Sequence, residues 1–505
     1  MKTKQKANKK TPAAIYYLNF KNIQADVQRC GFEITPVRLL TYYLLTLAGC
    51  VAVCIPFRLP VVSMVAVSVA GIVCMPVVLV SSCRQKYEEA RFVETSIYIS
   101  QMLSAFSIKP KILEALKSTK GIATSVPMSE TVNAAIEHIL YTSYSAGDIR
   151  EEALAVIEAK YNCKRIKTLH KFLINVENKG GEYNQTIDLL QKDRELWENR
   201  VEEFRKDESS KKTEAVLSAG FVIIVCWFVM FLGKFAKLDI TPSPVYQVST
   251  TAMIIAEMLL YIKINCSLSM DLLQKVSFRP EKSILKDYQT VVGYDEKREN
   301  MRSLKRSILP AVILLAGILL NKFLLIIMGG AALFFTIFDK RVGYSMTVKQ
   351  LRKEIAFAYP QWLMEMALLL QGNNVRNSIR MTVENSHPVL RKALEKLVAE
   401  LDESPNSMEP YLDFLGPLRT KEINTSMSML YAASSGTNGN TDERIKEIIN
   451  STIKMTDKAE KLENADKLLG LDLMFKAPVI PGTVNIFIYA AIVMMSAMDM
   501  GVYIR

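Results

Sequence analysis

Few residues in this chain have the types and spacing that catalysis or metal binding requires. The three histidines, His138, His170 and His387, lie far apart in the sequence, and we expect surface or interface positions for them rather than a metal site. The eight cysteines include no Cys-x-x-Cys pair, so neither a zinc ribbon nor a dithiol redox site is indicated. We predict that the cysteines are small, reduced packing residues, and we expect neither a metal nor a cofactor.

The sequence motifs of common ATPases and hydrolases are also missing. The only Gly-Lys pair, Gly233-Lys234, precedes Phe235 at the end of an apolar stretch and is no Walker A motif. Neither Gly-x-Ser-x-Gly nor His-Glu-x-x-His occurs. An intramembrane aspartyl peptidase would need aspartates within its spans, but the only Gly-Asp pair, Gly147-Asp148, lies in a polar turn. We therefore expect that the chain is not an enzyme.

One acid lies inside an apolar stretch. Glu257 interrupts the run Val248–Ile262, and an ionisable residue within a span is a functional-site candidate by default. Two interpretations stay open at this point. Glu257 either pairs with Lys263 or faces the helix bundle as a structural residue, or it marks the binding site of a transporter.

The composition indicates a mixture of membrane spans and soluble blocks. The chain has 505 residues, of which 50% are hydrophobic and 23% charged, and its mean hydropathy is +0.14. The net charge of +12 fits a positive-inside bias and attraction to anionic lipid. Nucleic acid is not an expected partner, because the basic residues are interspersed with acids and form no patch with aromatic residues.

The order of apolar and polar stretches occurs twice. A close pair of apolar stretches precedes a polar block at 84–212 (the first block), and a second pair precedes another at 341–476 (the second block). We predict seven spans, with the N-terminus in the cytoplasm and the C-terminus outside. These are Leu39–Phe57, Val61–Val80, Ala215–Gly233, Val248–Ile262, Ile308–Leu320, Phe323–Phe338 and Pro478–Met498.

The stretch 308–338 allows either a hairpin or one long helix. We favour the hairpin, because a single crossing would export the second block and its basic edge. The predicted fold class is therefore all-α, a polytopic helical membrane protein with two cytoplasmic helical-bundle domains. Its segments are a basic N-terminal segment (1–38), a transmembrane hairpin (39–82), the first domain (84–212), two transmembrane helices (213–266), a basic cytoplasmic linker (267–306), a second hairpin (307–338), the second domain (341–476) and a final transmembrane helix (478–499).

Both blocks lack the alternation typical of strands and indicate helices joined by short turns. Asp148 with Glu151 forms a capping box, and Ser129 is a candidate cap for the preceding helix. Each block also contains a glycine-bearing loop, at 179–181 and 435–439, that is followed by a long polar helix leading to an apolar stretch.

Three stretches resemble the type II secretion system F family of inner-membrane platform proteins, in particular its Tad (Flp pilus) and archaellum-platform branch. They are Phe92–Ser118, the acid-glycine loop Val176–Gly181, and the second copy from Tyr359–Leu363 through Gly436 to Leu471–Pro481. The second copy departs from this pattern, because no acid directly precedes Gly436. Two modules in one chain also differ from Tad platforms built as two polypeptides.

The resemblance implies an inner-membrane platform that couples a hexameric cytoplasmic secretion ATPase to the extraction and assembly of pilin subunits. The implied partners are that ATPase, pilins and the lipid bilayer, and self-association into a homo-oligomer stays open. A polytopic transporter or another membrane scaffold is the alternative. The candidate partner-binding residues lie on the glycine-bearing loops and the long helices: Glu177, Lys179, Gly180, Gly181, Glu182, Arg194, Glu195, Gly436, Asp442, Glu443 and Arg444.

Overall fold

The computed structural model of the chain is helical, and no strand occurs among the residues that it describes. This confirms the all-α prediction. The structure describes residues 16–503 except 18, 123–125, 143–147, 181–182, 236–238, 269–272, 274–278, 295, 320–322, 371–372 and 436–440.

Long helices dominate the described chain. Those up to residue 268 are α1 (Phe20–Arg29), α2 (Pro36–Cys54), α3 (Val61–Ile108), α4 (Ile112–Ile122), α5 (Val126–Tyr141), α6 (Ile149–Tyr161), α7 (Lys164–Lys179), α8 (Asn184–Phe235) and α9 (Pro244–Leu268). The later ones are α10 (Glu281–Val292), α11 (Glu296–Leu319), α12 (Phe323–Leu369), α13 (Val375–Val383), α14 (Pro388–Glu403), α15 (Glu409–Leu412), α16 (Lys421–Ser434), α17 (Thr441–Lys476) and α18 (Val479–Tyr503). A short 3₁₀ helix spans Gly416–Leu418.

Local sequence signals explain where several helices begin and end. Asp148 is the N-cap of α6, as predicted, and its carboxylate accepts a hydrogen bond from the Arg150 backbone N–H. Asn162 ends the same helix in the left-handed conformation, with φ of 47°. The predicted cap at Ser129 is wrong, because α5 already begins at Val126. Pro127 sits in its first turn, where a fixed φ favours helix initiation.

Five helices are long and apolar enough to cross a membrane: α2, α3, α8, α9 and α18. They contain five of the seven predicted spans. The remaining pair, 308–338, lies in α11 and α12, which are not among the candidate spans found in the described part of the chain. The backbone is helical on both sides of 320–322. A Cβ at Gly329 would lie 2.6 Å from the Leu314 Cα, so α11 and α12 pack in close contact.

The chain divides into two compact units. Unit 1 comprises the described residues of Met1–Ile97, Glu198–Gln274 and Glu463–Arg505, and unit 2 those of Tyr98–Trp197 and Lys275–Leu462. Unit 1 therefore contains the apolar parts of the five candidate spans. Most of both polar blocks belongs to unit 2, which is a single compact body.

The core of unit 1 is apolar but includes a few paired hydroxyl groups. Tyr246 donates a hydrogen bond to the Phe57 carbonyl at 2.8 Å, and the hydroxyls of Thr250 and Tyr489 lie 2.6 Å apart. All of these hydroxyl-bearing side chains are buried. Hydrogen bonding compensates the cost of removing such groups from water, so these contacts fix how α9 packs against α18.

An aromatic cluster anchors unit 2. Tyr359, Trp362 and Phe414 are buried, and the ring centroids of Trp362 and Phe414 lie 5.9 Å apart. The Tyr359 hydroxyl lies 2.6 Å from Ser426 Oγ, and the Trp362 indole donates to Thr382 Oγ1 at 2.9 Å. The polar end of each buried ring is thus satisfied. The stretch Tyr359–Leu363, one of those that resemble the F family, supplies core residues here.

Candidate docking surface on the helical unit

A buried ion cluster joins the two polar blocks within unit 2. The Arg165 guanidinium on α7 donates to Asp193 of α8 at 2.9 Å and to Glu460 of α17 at 3.1 Å. Its Cζ lies 4.8 Å from the centroid of the Trp197 ring, which stacks beneath it. Burial alone lowers the pKa of Arg165, but the two carboxylates outweigh burial and hold the pKa above its ordinary value. This arginine therefore stays charged and ties α7 and α8 to α17.

One face of α7 also lies along the C-terminal half of α12. Four hydrogen bonds join the helices and the loop after α12: Lys164 to Gln361 at 2.5 Å, Lys171 to Glu365 at 2.5 Å, Asn175 to the Leu368 carbonyl at 3.3 Å, and Lys179 to Asn373 at 3.2 Å. The residue numbers rise together on both sides, so the two helices run in parallel. A helix of the first block thus packs beside the opening helix of the second.

A cavity of about 430 Å³ lies between α7 and α12. Lys164, Lys167 and Lys171 line one side, and Trp362 and His387 line the other. Burial lowers the pKa of Lys164 to about 8. Burial, aided by Lys164 and Arg391, lowers the pKa of His387 to about 4. The three lysines of this lining can hold an anionic side chain.

The predicted docking residue Glu177 is used inside unit 2. Its carboxylate accepts a hydrogen bond from the Ile112 backbone N–H at 2.9 Å, at the first residue of α4. Arg150 lies 3.7 Å away, and the side chain is only 12% exposed. A carboxylate at a helix N-terminus accepts a hydrogen bond from a backbone N–H that has no partner within the helix, and it interacts favourably with the helix dipole. The acid before this glycine loop is therefore placed to stabilise the bundle.

The end of α7 is more accessible. Gly180 is exposed and has φ of 71°, a left-handed conformation that suits glycine after a helix. Lys179, also exposed, donates to Asn373. Asn373 lines a cavity of about 240 Å³ together with Ser434 and Ile445, which flank the second glycine-bearing loop. Asn373 thus lies near Lys179 and near residues that flank the second glycine-bearing loop in the sequence.

The remaining described docking residues differ in exposure. Glu195 is 62% exposed on α8, whereas Arg194 is 15% exposed and donates to Gln191. Glu443 is exposed in the first turn of α17, and Arg444 donates to the Ala432 carbonyl. Residues Gly181, Glu182 and Gly436, and the side chain of Asp442, lie outside the described residues. Of the candidates that the structure describes, Lys179, Gly180, Glu195 and Glu443 are exposed; we call these four the docking surface.

The structure also contains a buried polar network that sequence reasoning missed. His170 is 1% exposed, and its ring nitrogens lie 2.8 Å from the Tyr98 hydroxyl and 2.9 Å from Glu158. The expected surface or interface position for this histidine is wrong. The signal was available, because His170 shares the apolar stripe of α7 with Ile166 and Leu173 at helical spacing.

We also searched for a metal site among the described residues and compared the chain with known proteins. No group of three or more His, Cys, Asp or Glu residues among those described is placed to hold a metal ion. No protein-family profile matches the chain. Comparison with curated proteins gave no match. Comparison with solved structures gave none either.

Proposed function

We propose that this chain is a membrane platform protein of a type II secretion or type IV (Tad/Flp-like) pilus assembly machine. In this proposal it lies in the inner membrane with both polar blocks in the cytoplasm. It couples a hexameric cytoplasmic ATPase to the extraction and assembly of pilin subunits, without catalysing a reaction itself.

The observation that carries this proposal is the continuity of α8. This helix has 52 residues, Asn184–Phe235, and is about 78 Å long at 1.5 Å per residue. Its polar part supplies Asp193 and Trp197 to the Arg165 cluster, and its apolar part is a candidate span. A displacement imposed on the polar end can therefore be transmitted along one helix into the membrane. A coupling device needs such a path, whereas a pore does not.

The number of crossings supports a shared location for the two blocks. Four candidate spans precede the second block and two precede the first, so an even number separates each block from the N-terminus. A hairpin at 308–338 would add two crossings and leave this parity unchanged. Contacts such as Lys171 to Glu365 also support a location of both blocks on one side.

We infer that this side is the cytoplasm, because the basic residues near the N-terminus fit the positive-inside rule. An ATPase could then reach the docking surface. Its mixed charges, with Lys179 on one loop and Glu195 and Glu443 on the long helices, suit the polar rim of a reversible protein interface rather than a permanent apolar one.

The test is to isolate the tagged full chain in mild detergent from the native membrane and identify what co-elutes. We expect a hexameric ATPase with a Walker A motif, in fixed stoichiometry. The double variant Glu195→Lys with Glu443→Lys should reduce the bound ATPase at least fivefold. Glu202→Lys makes the same change at a side chain that is also 62% exposed on α8, and it should leave the ratio unchanged.

Deletion of the gene supplies the second readout. We expect pilin subunits to accumulate in the membrane and surface filaments to disappear, with both effects reversed by the wild-type gene. Filament assembly in the deletion strain, or purification without any ATPase, would refute the platform proposal.

One observation favours the transporter alternative. Unit 1 contains a cavity that is lined by the buried acid Glu257. Uptake of a solute into vesicles that contain only this chain, abolished in Glu257→Gln, would support transport. The platform proposal expects no such uptake.

A further inference from the structure

Unit 1 contains a large apolar cavity with one buried acid. The cavity has a volume of about 720 Å³, within the range of small-molecule sites, and helices α2, α3, α8 and α9 contribute to its walls. Most of its lining is apolar, including Leu45, Met75 and Met258. The cavity thus has the size and lining of a site for a lipophilic small molecule.

Glu257 supplies the only acidic side chain in that lining. It is 6% exposed, and neither of its carboxylate oxygens has a hydrogen-bond partner among the residues that the structure describes. The predicted pairing with Lys263 is not among the ion pairs formed by these residues. A carboxyl group buried in an apolar site without a partner costs several kcal/mol as an anion. A cationic ligand in the cavity would remove that cost.

Two other occupants fit the geometry less well. A spanning helix about 10 Å across and about 30 Å long occupies roughly three times the volume of the cavity. A metal ion would need further ligands, and no cluster of three metal-ligating side chains occurs among the described residues. Lys86, the basic residue in the lining, is exposed, so water screens its charge.

We propose that this cavity binds a lipophilic organic cation, whose charge is attracted by the buried carboxylate of Glu257 while its apolar groups contact the cavity walls. Tyr42 and Tyr261 also line the cavity and provide aromatic faces that attract a cation. The site is separate from the docking surface of unit 2, so the inference stands independently of the platform function.

The test uses the purified full chain in detergent and radiolabelled tetraphenylphosphonium, a lipophilic monovalent cation, in equilibrium dialysis. We expect saturable binding to the wild-type chain and at least tenfold weaker binding to Glu257→Gln, which preserves the shape of the side chain. Tetraphenylborate, the anion of the same shape, should bind the wild-type chain no better than it binds Glu257→Gln.

Two further variants separate the site from general effects on folding. Glu208→Gln makes the same change at another buried acid of unit 1, which lies outside the cavity and accepts a hydrogen bond from Gln85, and it should bind like wild type. Ala219→Phe keeps Glu257 but fills part of the cavity, and it should also lose binding. Size-exclusion profiles check that each variant is folded.

Three results would overturn the proposal: equal binding by wild type and Glu257→Gln, equal binding of the cation and the anion, or no saturable binding to the wild-type chain. If Glu257→Gln does not fold, Ala219→Phe tests the site by itself. Undiminished binding to Ala219→Phe would mean that the ligand binds outside this cavity and would overturn the proposal.

Discussion

At the scale of single residues, Arg165 carries the most consequential contact between the two blocks. Its carboxylate partners lie 28 and 295 positions away along the chain. Glu460 is 5% exposed, so removal of the arginine takes the Arg165 positive charge away from a buried carboxylate. Breaking a buried ion pair from one side is strongly destabilising, because the remaining charge keeps its desolvation cost.

We predict that Arg165→Met lowers the free energy of unfolding by about 3 kcal/mol. The measurement is the unfolding midpoint of the full chain in detergent, followed by size exclusion. Arg380→Met is the control, since Arg380 is 49% exposed and pairs with an exposed Asp402, and its midpoint should match wild type. Equal midpoints for the two variants would contradict a structural role for the cluster.

The lowered pKa values of His170 and His387 predict how stability depends on pH. Burial lowers the pKa of His170 below 6.5 in the folded chain, while the exposed imidazole of the unfolded chain keeps the ordinary value. As pH falls below about 6.5, His170 binds a proton in the unfolded chain but stays neutral in the folded chain, so the free energy of unfolding decreases. We expect a lower midpoint at pH 5.5 than at pH 7.5, and a smaller decrease in His170→Gln.

His387 provides the comparison for that experiment. Its pKa is lowered to about 4, so His387→Gln should remove a further part of the decrease. If the pH profile of the double variant coincides with that of wild type, other groups govern the acid sensitivity.

The residue scale also shows where sequence reasoning stops. Asp148 was predictable as a cap because its partner lies two residues away. Glu177 caps α4 through the Ile112 N–H, 65 positions away, and no local pattern reveals that contact. An acid before a glycine loop has the same local sequence whether it docks a partner or caps a helix.

At the scale of elements, the sequence predicts helices well and their lengths poorly. The predicted span Val61–Val80 and the first part of the stretch Phe92–Ser118 belong to one helix, α3, of 48 residues. The long charged helix and the third span likewise form α8. Polarity changes along α8 without a proline in the helix, and α3 continues past Pro76 although a proline removes one helix hydrogen bond. Hydropathy marks where a helix enters lipid, and it does not mark where a helix ends.

A close contact between α8 and α18 in unit 1 gives a prediction at this scale. A Cβ at Gly482 of α18 would lie 2.0 Å from Val222 Cγ1 of α8. Gly482→Ala should therefore force the helices apart and destabilise unit 1 by about 1–3 kcal/mol, the usual cost of overpacking. Thermal unfolding of the full chain in detergent measures this loss.

The controls for this contact come from the same pair of helices. Gly220 on α8 has no atom within 4 Å of its ideal Cβ, so Gly220→Ala should not destabilise the chain. Adding Val222→Ala to Gly482→Ala should restore part of the lost stability. If the double variant is no more stable than Gly482→Ala, the close approach of α8 and α18 does not explain the requirement for Gly482.

At the scale of the whole molecule, the duplication is visible in the sequence but its packing is not. Similar patterns in the two blocks led to the prediction of two helical-bundle domains, whereas most of both blocks falls within one compact unit. The contacts between α7 of the first block and α12 of the second are made by lysine and asparagine side chains of α7, and such side chains also occur on solvent-exposed surfaces. Five of the seven predicted spans correspond to long apolar helices, because twenty apolar residues are a strong local signal.

We predict that both blocks lie on the cytoplasmic side of the membrane and that the segment between α8 and α9 lies outside. In a cysteine-free background, single cysteines replace the exposed residues Lys120 in the first block, Glu403 in the second, and Asp239 between α8 and α9. A membrane-impermeant maleimide should label Asp239→Cys in intact cells and the other two only after permeabilisation. Opposite labelling of Lys120→Cys and Glu403→Cys would invalidate the proposed arrangement of the blocks.

The separation of Arg165 from Glu460 also has a consequence for biosynthesis. Glu460 leaves the ribosome 295 residues after Arg165, a delay of roughly 15 to 60 s at about 5–20 residues per second. During that time the candidate spans in α8 and α9 must be inserted into the bilayer. Arg165 of the nascent first block therefore lacks its counterion Glu460 until the second block has been translated.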